Sequence, residues 1–159
     1  MGLRLLAPDD RCDRFWLYPP EKLEERGIRL IMLDLDNTLC PWHTLQVEPE
    51  AFDWIQKAKE MGFTVMLISN APLRRTMEAG LLLDIPWIAL AKKPWPAAIF
   101  KACKAAGIGR EETVLFGDQL FTDVAAARLA GCRVVLTEPI HEREMKWTRF
   151  MRIFERRLR

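Results

Sequence analysis

The sequence of 159 residues predicts one α/β domain, a three-layer sandwich in which helices cover both faces of a mainly parallel sheet of five strands. Three observations favour this fold class. Short apolar runs alternate with longer segments of helical periodicity from residue 28 to residue 137. The runs are hydrophobic throughout, as strands buried on both faces are. Half of all residues are hydrophobic, which suits a single core, and no linker or internal repeat indicates a second domain.

Five strands and four helices are predicted within this region, with right-handed connections between them. The strands are expected at 28–34, 63–69, 86–90, 113–117 and 133–137. The helices are expected at 48–62, 72–80, 94–107 and 120–131. Prolines near the starts of several of these segments and glycines at their ends are typical of helix boundaries.

The two ends of the chain do not share this alternation. Residues 1–27 are expected to be largely irregular, because two prolines follow the aromatic stretch FWLY, and only 21–27 could form one or two helical turns. Residues 141–159 carry seven basic residues and an apolar stripe at helical spacing, which predicts a basic amphipathic helix. That helix either packs its stripe on the flank of the sheet or lies on an anionic membrane surface.

Composition excludes several classes of function. The net charge of +2 is too small to indicate nucleic-acid binding. No apolar run approaches the roughly 18 residues of a membrane span, and the first ten residues do not resemble a secretory signal, so we expect a cytoplasmic protein. The cysteines form no CxxC pair, which favours reduced, mostly buried thiols over a zinc site or a disulfide. They are Cys12, Cys40, Cys103 and Cys132.

Polar side chains collect where the predicted strands end. Asp34 and Asp36 follow the first strand and point to the same side, since one residue separates them. The other strand ends supply Ser69, Asn70, Lys93, Asp118 and Asp123. Ligands of open α/β sheets bind outside the carboxyl ends of the strands, so these groups should form one site. Carboxylates this close repel one another unless a cation lies among them, and oxygen ligands without thiolate or imidazole favour Mg²⁺.

Four short segments resemble the motifs of the haloacid dehalogenase superfamily, in the same order and on the same predicted strands. They are DLDNT (34–38), SN (69–70), KP (93–94) and GDQLFTD (117–123). The resemblance covers roughly residues 28–137 and implies the Rossmann-like fold of that superfamily. An acid two residues after the first aspartate is the pattern of its phosphatases. LDLDNTL, AKKP and GDQLFTD together resemble the YqeG-type branch of subfamily IIIA, which is similar to phosphatidylglycerophosphate phosphatases.

The resemblance implies a role for each matching residue. Asp34 is the expected nucleophile, forming an aspartyl-phosphate, and Asp36 is the expected general acid and base. The groups expected to bind or orient the phosphate are Thr38, Ser69, Asn70 and Lys93, with backbone amides of Asn70 and Ala71 as further donors. Mg²⁺ is expected to be held by Asp34, the backbone carbonyl of Asp36, and Asp118, with Asp123 in support.

Each of these residues also has an ordinary structural interpretation. Ser69 could cap the helix that follows it, and Asp118 and Asp123 could be a helix cap and a first-turn acid. Lys93 could be a surface charge. A structural interpretation is weakest for Asp34 and Asp36, because acids seldom end a buried strand for packing reasons.

The loop after the first strand leaves the expected site open. Family members differ by cap insertions, but here the flap (residues 39–49) is short, and only one helix and one strand fit between Asn70 and Lys93. His43 and Trp42 of the flap are more simply interpreted as a surface residue and a packing residue than as substrate contacts. An open site with minimal or no cap could admit a bulky ester at a membrane surface, or be covered by another subunit of a homo-oligomer.

The function that the resemblance implies is Mg²⁺-dependent hydrolysis of a phosphomonoester. The candidate substrate is phosphatidylglycerophosphate, met by a cytoplasmic enzyme peripheral to the inner face of the membrane. One alternative is a phosphatase of a soluble sugar phosphate or nucleotide. Another is a non-catalytic binding protein with a vestigial site, against which stands the retention of both Asp34 and Asp36.

Overall fold

The computed structural model describes residues 2–140, 153 and 155–157. Its sheet has six strands, all parallel, in the order β1-β6-β5-β2-β3-β4. The strands are β1 (Asp10–Cys12), β2 (Leu30–Leu33), β3 (Thr64–Ile68), β4 (Trp87–Ile88), β5 (Thr113–Gly117) and β6 (Arg133–Thr137). The helices are α1 (Pro20–Glu25), α2 (Pro49–Glu60), α3 (Leu73–Leu83), α4 (Ala97–Ala106) and α5 (Ala125–Ala130). A π-helix (Leu120–Val124) precedes α5 directly.

Two apolar layers, one on each face of the sheet, form the core. Along β2 the side chains alternate, so that Ile31 and Leu33 join one layer, while Leu30 and Met32 join the other. Helices α1, α2 and α3 complete the first layer, and α4 and α5 complete the second. All four side chains of β2 are fully buried, and burial of this kind contributes about 1.5–3 kcal/mol for each large apolar side chain. The predicted α/β sandwich with a parallel sheet is confirmed.

The sheet contains one strand more than the five predicted. β1 adds in parallel to the outer edge of β6, with Asp10 opposite Val135. Asp9, the residue before β1, also joins this segment to β6, because its carboxylate accepts a hydrogen bond from the Val134 amide at 2.8 Å. Only Cys12 in this strand is apolar, so the sequence offers no apolar run by which to find it.

The segment before β2 is therefore more ordered than the expectation for residues 1–27. After β1 come a 3-10 turn (Phe15–Leu17) and α1, which covers most of the stretch at 21–27 where one or two helical turns were expected. Phe15 and Tyr18 are buried, and both rings meet Phe116 edge to face, with centroids 6.4 and 5.6 Å away. The aromatic stretch thus forms part of the first core layer.

Helix α3 continues beyond Gly80, where the sequence predicts its end. A Cβ at position 80 would lie 2.5 Å from Trp87 Cε3 and 3.0 Å from the carbonyl oxygen of Ile85. The glycine therefore allows the helix to approach β4 closely. The helix ends instead at Leu83, and the capping residue Asp84 adopts a left-handed conformation with φ of 53°.

Most of the predicted basic helix at 141–159 lies outside the described residues. Within that stretch Ile153 and residues 155–157 are helical, and Glu155 is buried, accepting a hydrogen bond from the Phe121 amide at 3.3 Å. This contact lies on the π-helix. Among the residues that the structure describes, no helix combines the length and the hydrophobicity needed to span a bilayer.

Candidate active site

The acids predicted after β2 and β5 meet at one edge of the sheet. Leu33, the last residue of β2, lies in register with Leu67 of β3 and Phe116 of β5. Asp34 follows it, and the Asp34 amide extends the ladder by donating to the Phe116 carbonyl at 2.9 Å. Because the strands are parallel, the residues that follow each of them converge on Asp34.

Lys93 is a buried ion-pair partner rather than a surface charge. Its Nζ donates to Asp34 Oδ1 at 2.8 Å, to Asp123 Oδ1 at 2.6 Å and to the Ile68 carbonyl at 3.1 Å. Only 2% of the Lys93 side chain is exposed, and the two carboxylate side chains are 12% and 1% exposed. Three acceptors therefore satisfy all three N–H bonds of the ammonium group.

Asn70 fixes the backbone that carries Lys93. The Lys93 amide donates to Asn70 Oδ1 at 2.8 Å, and Asn70 Nδ2 donates to the Lys93 carbonyl at 3.0 Å. Both polar atoms of the Asn70 side chain are thus used within the protein. The Asn70 side chain therefore supports the backbone that carries Lys93, and the expected contact of Asn70 with phosphate stays a prediction.

The electrostatics around Lys93 and its two acid partners favour the charged form of Lys93 and oppose the charged form of Asp123. Burial lowers the pKa of Lys93, but Asp123 and Asp34 outweigh burial and raise it above its usual value. Burial raises the pKa of Asp123 to about 6, and Asp34 adds to that rise, while Lys93 and the Gln119 amide oppose it. Lys93 therefore remains an ammonium through the physiological range.

Three buried carboxylates form a cluster that suits a cation. Asp34, Asp118 and Asp123 each offer one oxygen, and these oxygens lie within 4.8 Å of one another. Lys93 balances only part of this charge, and hard oxygen donors of this kind match Mg²⁺. Thr38 donates to Asp118 Oδ1 at 3.3 Å, which places this threonine behind a carboxylate of the cluster.

The cluster differs in one member from the predicted metal ligands. Asp123, expected only in support, contributes a carboxylate to it. Asp36 was expected to contribute its backbone carbonyl, which stays a prediction. The Asp36 carboxylate points to a different partner: its Oδ1 accepts from Nε and Nη2 of Arg75, at 2.9 and 2.6 Å.

Arg75 is a site residue that the sequence reasoning missed. It lies in the first turn of α3, the helix that begins at the carboxyl end of β3. A basic residue in the first turn after a site strand is the signal that could have identified it, although such charges are commonly solvated.

Ser69 does not cap the helix that follows it. The residue before α3 is Pro72, and the Ser69 hydroxyl instead accepts a hydrogen bond from the Ala71 amide at 3.0 Å. That amide, predicted as a phosphate donor, is directed to the serine. Ser69 itself is 1% exposed and lines the site cavity.

A cavity of about 470 Å³ opens at this edge of the sheet. The flap contributes two residues to its lining, Trp42, which is half-buried, and His43, which is exposed, with ring centroids 5.5 Å apart. The remaining lining includes Asp34, Asp36, Ser69, Asn70, Arg75 and Lys93. No inserted domain separates β2 from α2 or β3 from β4, so the site is uncapped in the described part of the chain.

Comparison with known proteins agrees with this geometry. The profile of the haloacid dehalogenase-like hydrolases matches residues 14–131. A Bacillus subtilis protein described as "Probable phosphatase YqeG" is 35% identical over 98% of this chain and 90% of its own length. A phosphoglycolate phosphatase of Pseudomonas syringae is 33% identical over 72% of this chain, which spans only 44% of that relative.

The fold also recurs in solved structures. One is a 3-deoxy-D-manno-octulosonate 8-phosphate phosphatase from Moraxella catarrhalis, which superposes with a TM-score of 0.55 over 77% of this chain and 84% of its own, at 15% identity. Family profile, whole-length relative and fold agree. The chain belongs to the haloacid dehalogenase-like hydrolase family and is a phosphatase of that family.

Proposed function

We propose that this chain is a Mg²⁺-dependent phosphomonoesterase that works through an aspartyl-phosphate on Asp34. One observation carries the proposal: the Asp34 carboxylate is nearly buried, ion-paired to Lys93, clustered with two more carboxylates, and faces an open cavity. A group of this kind has little use in packing, and buried, ion-paired acids that crowd a strand-end cleft are typical of active sites.

The proposed reaction has two steps. In the first, an oxygen of Asp34 attacks phosphorus, the ester P–O bond breaks with its electron pair on the leaving oxygen, and Asp36 gives that oxygen a proton. In the second, Asp36 takes a proton from water as the water oxygen attacks phosphorus. The P–O bond to Asp34 then breaks, which regenerates the carboxylate and releases phosphate.

The residues around Asp34 support this chemistry electrostatically. Lys93, held as an ammonium by Asp34 and Asp123, places positive charge beside the nucleophile and the incoming phosphate. Asp34 and Asp118 would hold Mg²⁺, with Asp123 adjoining them. Mg²⁺ when bound supplies charge neutralisation and orientation of the phosphate oxygens. The Moraxella relative was solved with magnesium and phosphate ions.

For the substrate we propose phosphatidylglycerophosphate, met at the membrane surface by a cytoplasmic enzyme. The resemblance to the YqeG-type branch and the whole-length relative support this assignment. The uncapped cavity supports it as well, because a phosphate on a large lipid must reach the nucleophile without passing under a lid.

A soluble phosphate ester is the second candidate. The similarity to a phosphoglycolate phosphatase favours it, since that enzyme is named for a small, soluble substrate. An uncapped cavity of about 470 Å³ would admit such an ester equally well.

A phosphate-release panel decides between the two candidates. It would compare phosphatidylglycerophosphate in vesicles with phosphoglycolate, sugar phosphates and nucleotides, each with Mg²⁺ and with EDTA. We expect the lipid to be hydrolysed fastest, no release in EDTA, and a loss of more than about 1,000-fold in Asp34→Asn. Asp53→Asn, the same change at an exposed position on α2, should keep full activity.

Two results would contradict the proposal at different levels. Faster phosphate release from a soluble ester than from phosphatidylglycerophosphate would make the soluble ester the substrate. Full activity in EDTA, or in Asp34→Asn, would refute the metal-dependent aspartyl-phosphate mechanism itself.

A further inference from the structure

We propose that Arg75 is a positioning residue that aims the Asp36 carboxylate at the leaving oxygen of the substrate. It does so by holding Asp36 and the flap in one hydrogen-bond network. This inference rests on the proposed aspartyl-phosphate mechanism, because it assigns to Arg75 the orientation of the acid and base of that mechanism.

The guanidinium group of Arg75 joins three parts of the chain. Nε and Nη2 donate to Asp36 Oδ1 at 2.9 and 2.6 Å, Nη2 donates to the Pro41 carbonyl at 3.2 Å, and Nη1 donates to the Thr44 carbonyl at 2.8 Å. The five N–H bonds of a guanidinium lie in a rigid, planar fork. Fixing the fork on two flap carbonyls therefore fixes the place of the acid relative to the flap.

This network lies partly inside the protein. The side chains of Arg75 and Asp36 are each 20% exposed, so the pair is less screened by water than a surface ion pair. A hydrogen bond from a charged donor is stronger than one between neutral groups, and here two from the Arg75 guanidinium fall on Oδ1 of Asp36.

The flap depends on the same anchor. It follows Asp36 through a tight turn in which Asn37 has a positive φ of 62° and donates its amide to the Cys40 carbonyl at 2.8 Å. Trp42 and His43 lie between the two carbonyls that Arg75 binds, and both line the cavity. Arg75 thus holds the flap on both sides of the residues that face the substrate.

The chemical consequence concerns the leaving group. Both bonds from Arg75 fall on Oδ1 of Asp36, which leaves Oδ2 to give the proton to the leaving oxygen and later to take one from water. An alkyl phosphate releases an alkoxide that needs this proton as the P–O bond breaks. p-Nitrophenyl phosphate releases a stable phenolate that does not. Misaiming Asp36 should therefore slow the first kind of ester far more than the second.

The neighbouring residue provides a matched control. Arg74 is on the same turn of α3, but its side chain is 88% exposed and its Nε donates to Glu78 Oε1 at 3.1 Å, away from the cavity. Arg74→Gln and Arg75→Gln make the same chemical change one residue apart.

The test measures kcat and KM of Arg75→Gln, Arg75→Lys and Arg74→Gln on two alkyl phosphates, phosphatidylglycerophosphate and sn-glycerol 3-phosphate, and on p-nitrophenyl phosphate. We expect Arg75→Gln to lower kcat/KM, which reports the release of the leaving group and not the later hydrolysis of the aspartyl-phosphate, at least about tenfold more on the alkyl phosphates than on the aryl ester. Arg75→Lys should recover part of the loss, and Arg74→Gln should match the wild type. In an Asp36→Asn background, Arg75→Gln should add little further loss on alkyl esters.

Hydrogen exchange of the flap amides tests the network without relying on activity. Arg75→Gln should speed exchange across residues 39–47, and Arg74→Gln should leave it unchanged. Unchanged exchange in Arg75→Gln would overturn the inference, and so would an equal fold loss of kcat/KM on alkyl and aryl esters. A wild type that hydrolyses no ester, or an active Asp34→Asn, would instead count against the proposed function.

Discussion

Replacing Lys93 by methionine removes a charge on which two buried acids depend. The methionine has nearly the same length, but it leaves Asp34 and Asp123 without the ammonium that now lies 2.8 and 2.6 Å from them. Removing one member of a buried ion pair costs about 3–5 kcal/mol, because the remaining charge is not compensated. For a domain of this size we expect the melting temperature to fall by about 6–20 °C.

The size of this loss should depend on pH. Burial, followed by Asp34, raises the pKa of Asp123 to about 6, and Lys93 is the main group that opposes the rise. Without Lys93 the pKa of Asp123 goes higher still. An acid whose pKa is higher in the folded state stabilises the fold at low pH, and that stabilisation is lost as the pH rises through its folded pKa. The variant should therefore lose more stability at pH 8 than at pH 5.

Urea unfolding at pH 5 and pH 8, in buffer with EDTA, measures both effects. Lys92→Met is the matched control, because Lys92 is exposed and adjacent, and it should stay within about 0.5 kcal/mol of the wild type. If Lys93→Met proved as stable as Lys92→Met, or lost equal stability at both pH values, the description of Lys93 as the counter-charge of two buried acids would be wrong.

Two further predictions use glycine and cysteine positions. Gly117→Ala should lower the phosphatase activity of the folded protein at least about tenfold, since the new Cβ would collide with the Asp123 side chain and move it from Lys93. Undiminished activity would contradict this placement. Burial raises the thiol pKa to about 12 at Cys12 and Cys132 and to about 11 at Cys40. Iodoacetamide at pH 8 should therefore label these three thiols at least about tenfold more slowly in the native protein than in the unfolded chain, as measured by mass spectrometry. Equal labelling rates would show that these thiols are accessible.

A site residue can be predicted from the sequence when it follows a strand of the sheet, and not when its position depends on a helix start and a loop. Asp34 and Asp118 directly follow central strands, so the rule that parallel strands end at one edge is enough to bring them together. The same rule places Lys93 near them, although β4 is only two residues long. No comparable rule predicts Arg75, because its reach depends on where α3 begins and on the path of the flap.

The fold shows the same division between regular and irregular parts. The four interior strands β2, β3, β5 and β6 each have an apolar run, and the predicted positions lie within a few residues of those observed. β1 has no such run, since its pairing depends on backbone groups and on Asp9. Gly80 misleads for a different reason: a glycine needed for close packing in the middle of a helix looks, in sequence, like a glycine that ends one.

The place of β1 in the sheet has a consequence for synthesis. Asp10–Cys12 can pair only with Arg133–Thr137, more than 120 residues later, so this contact cannot form until the last strand has left the ribosome. Until then the aromatic residues that follow β1 can pack on the core, but β1 itself has no strand edge with which to pair. Stalled nascent chains that end before residue 133 should therefore keep Asp10–Cys12 open to protease, and chains released beyond residue 140 should protect it.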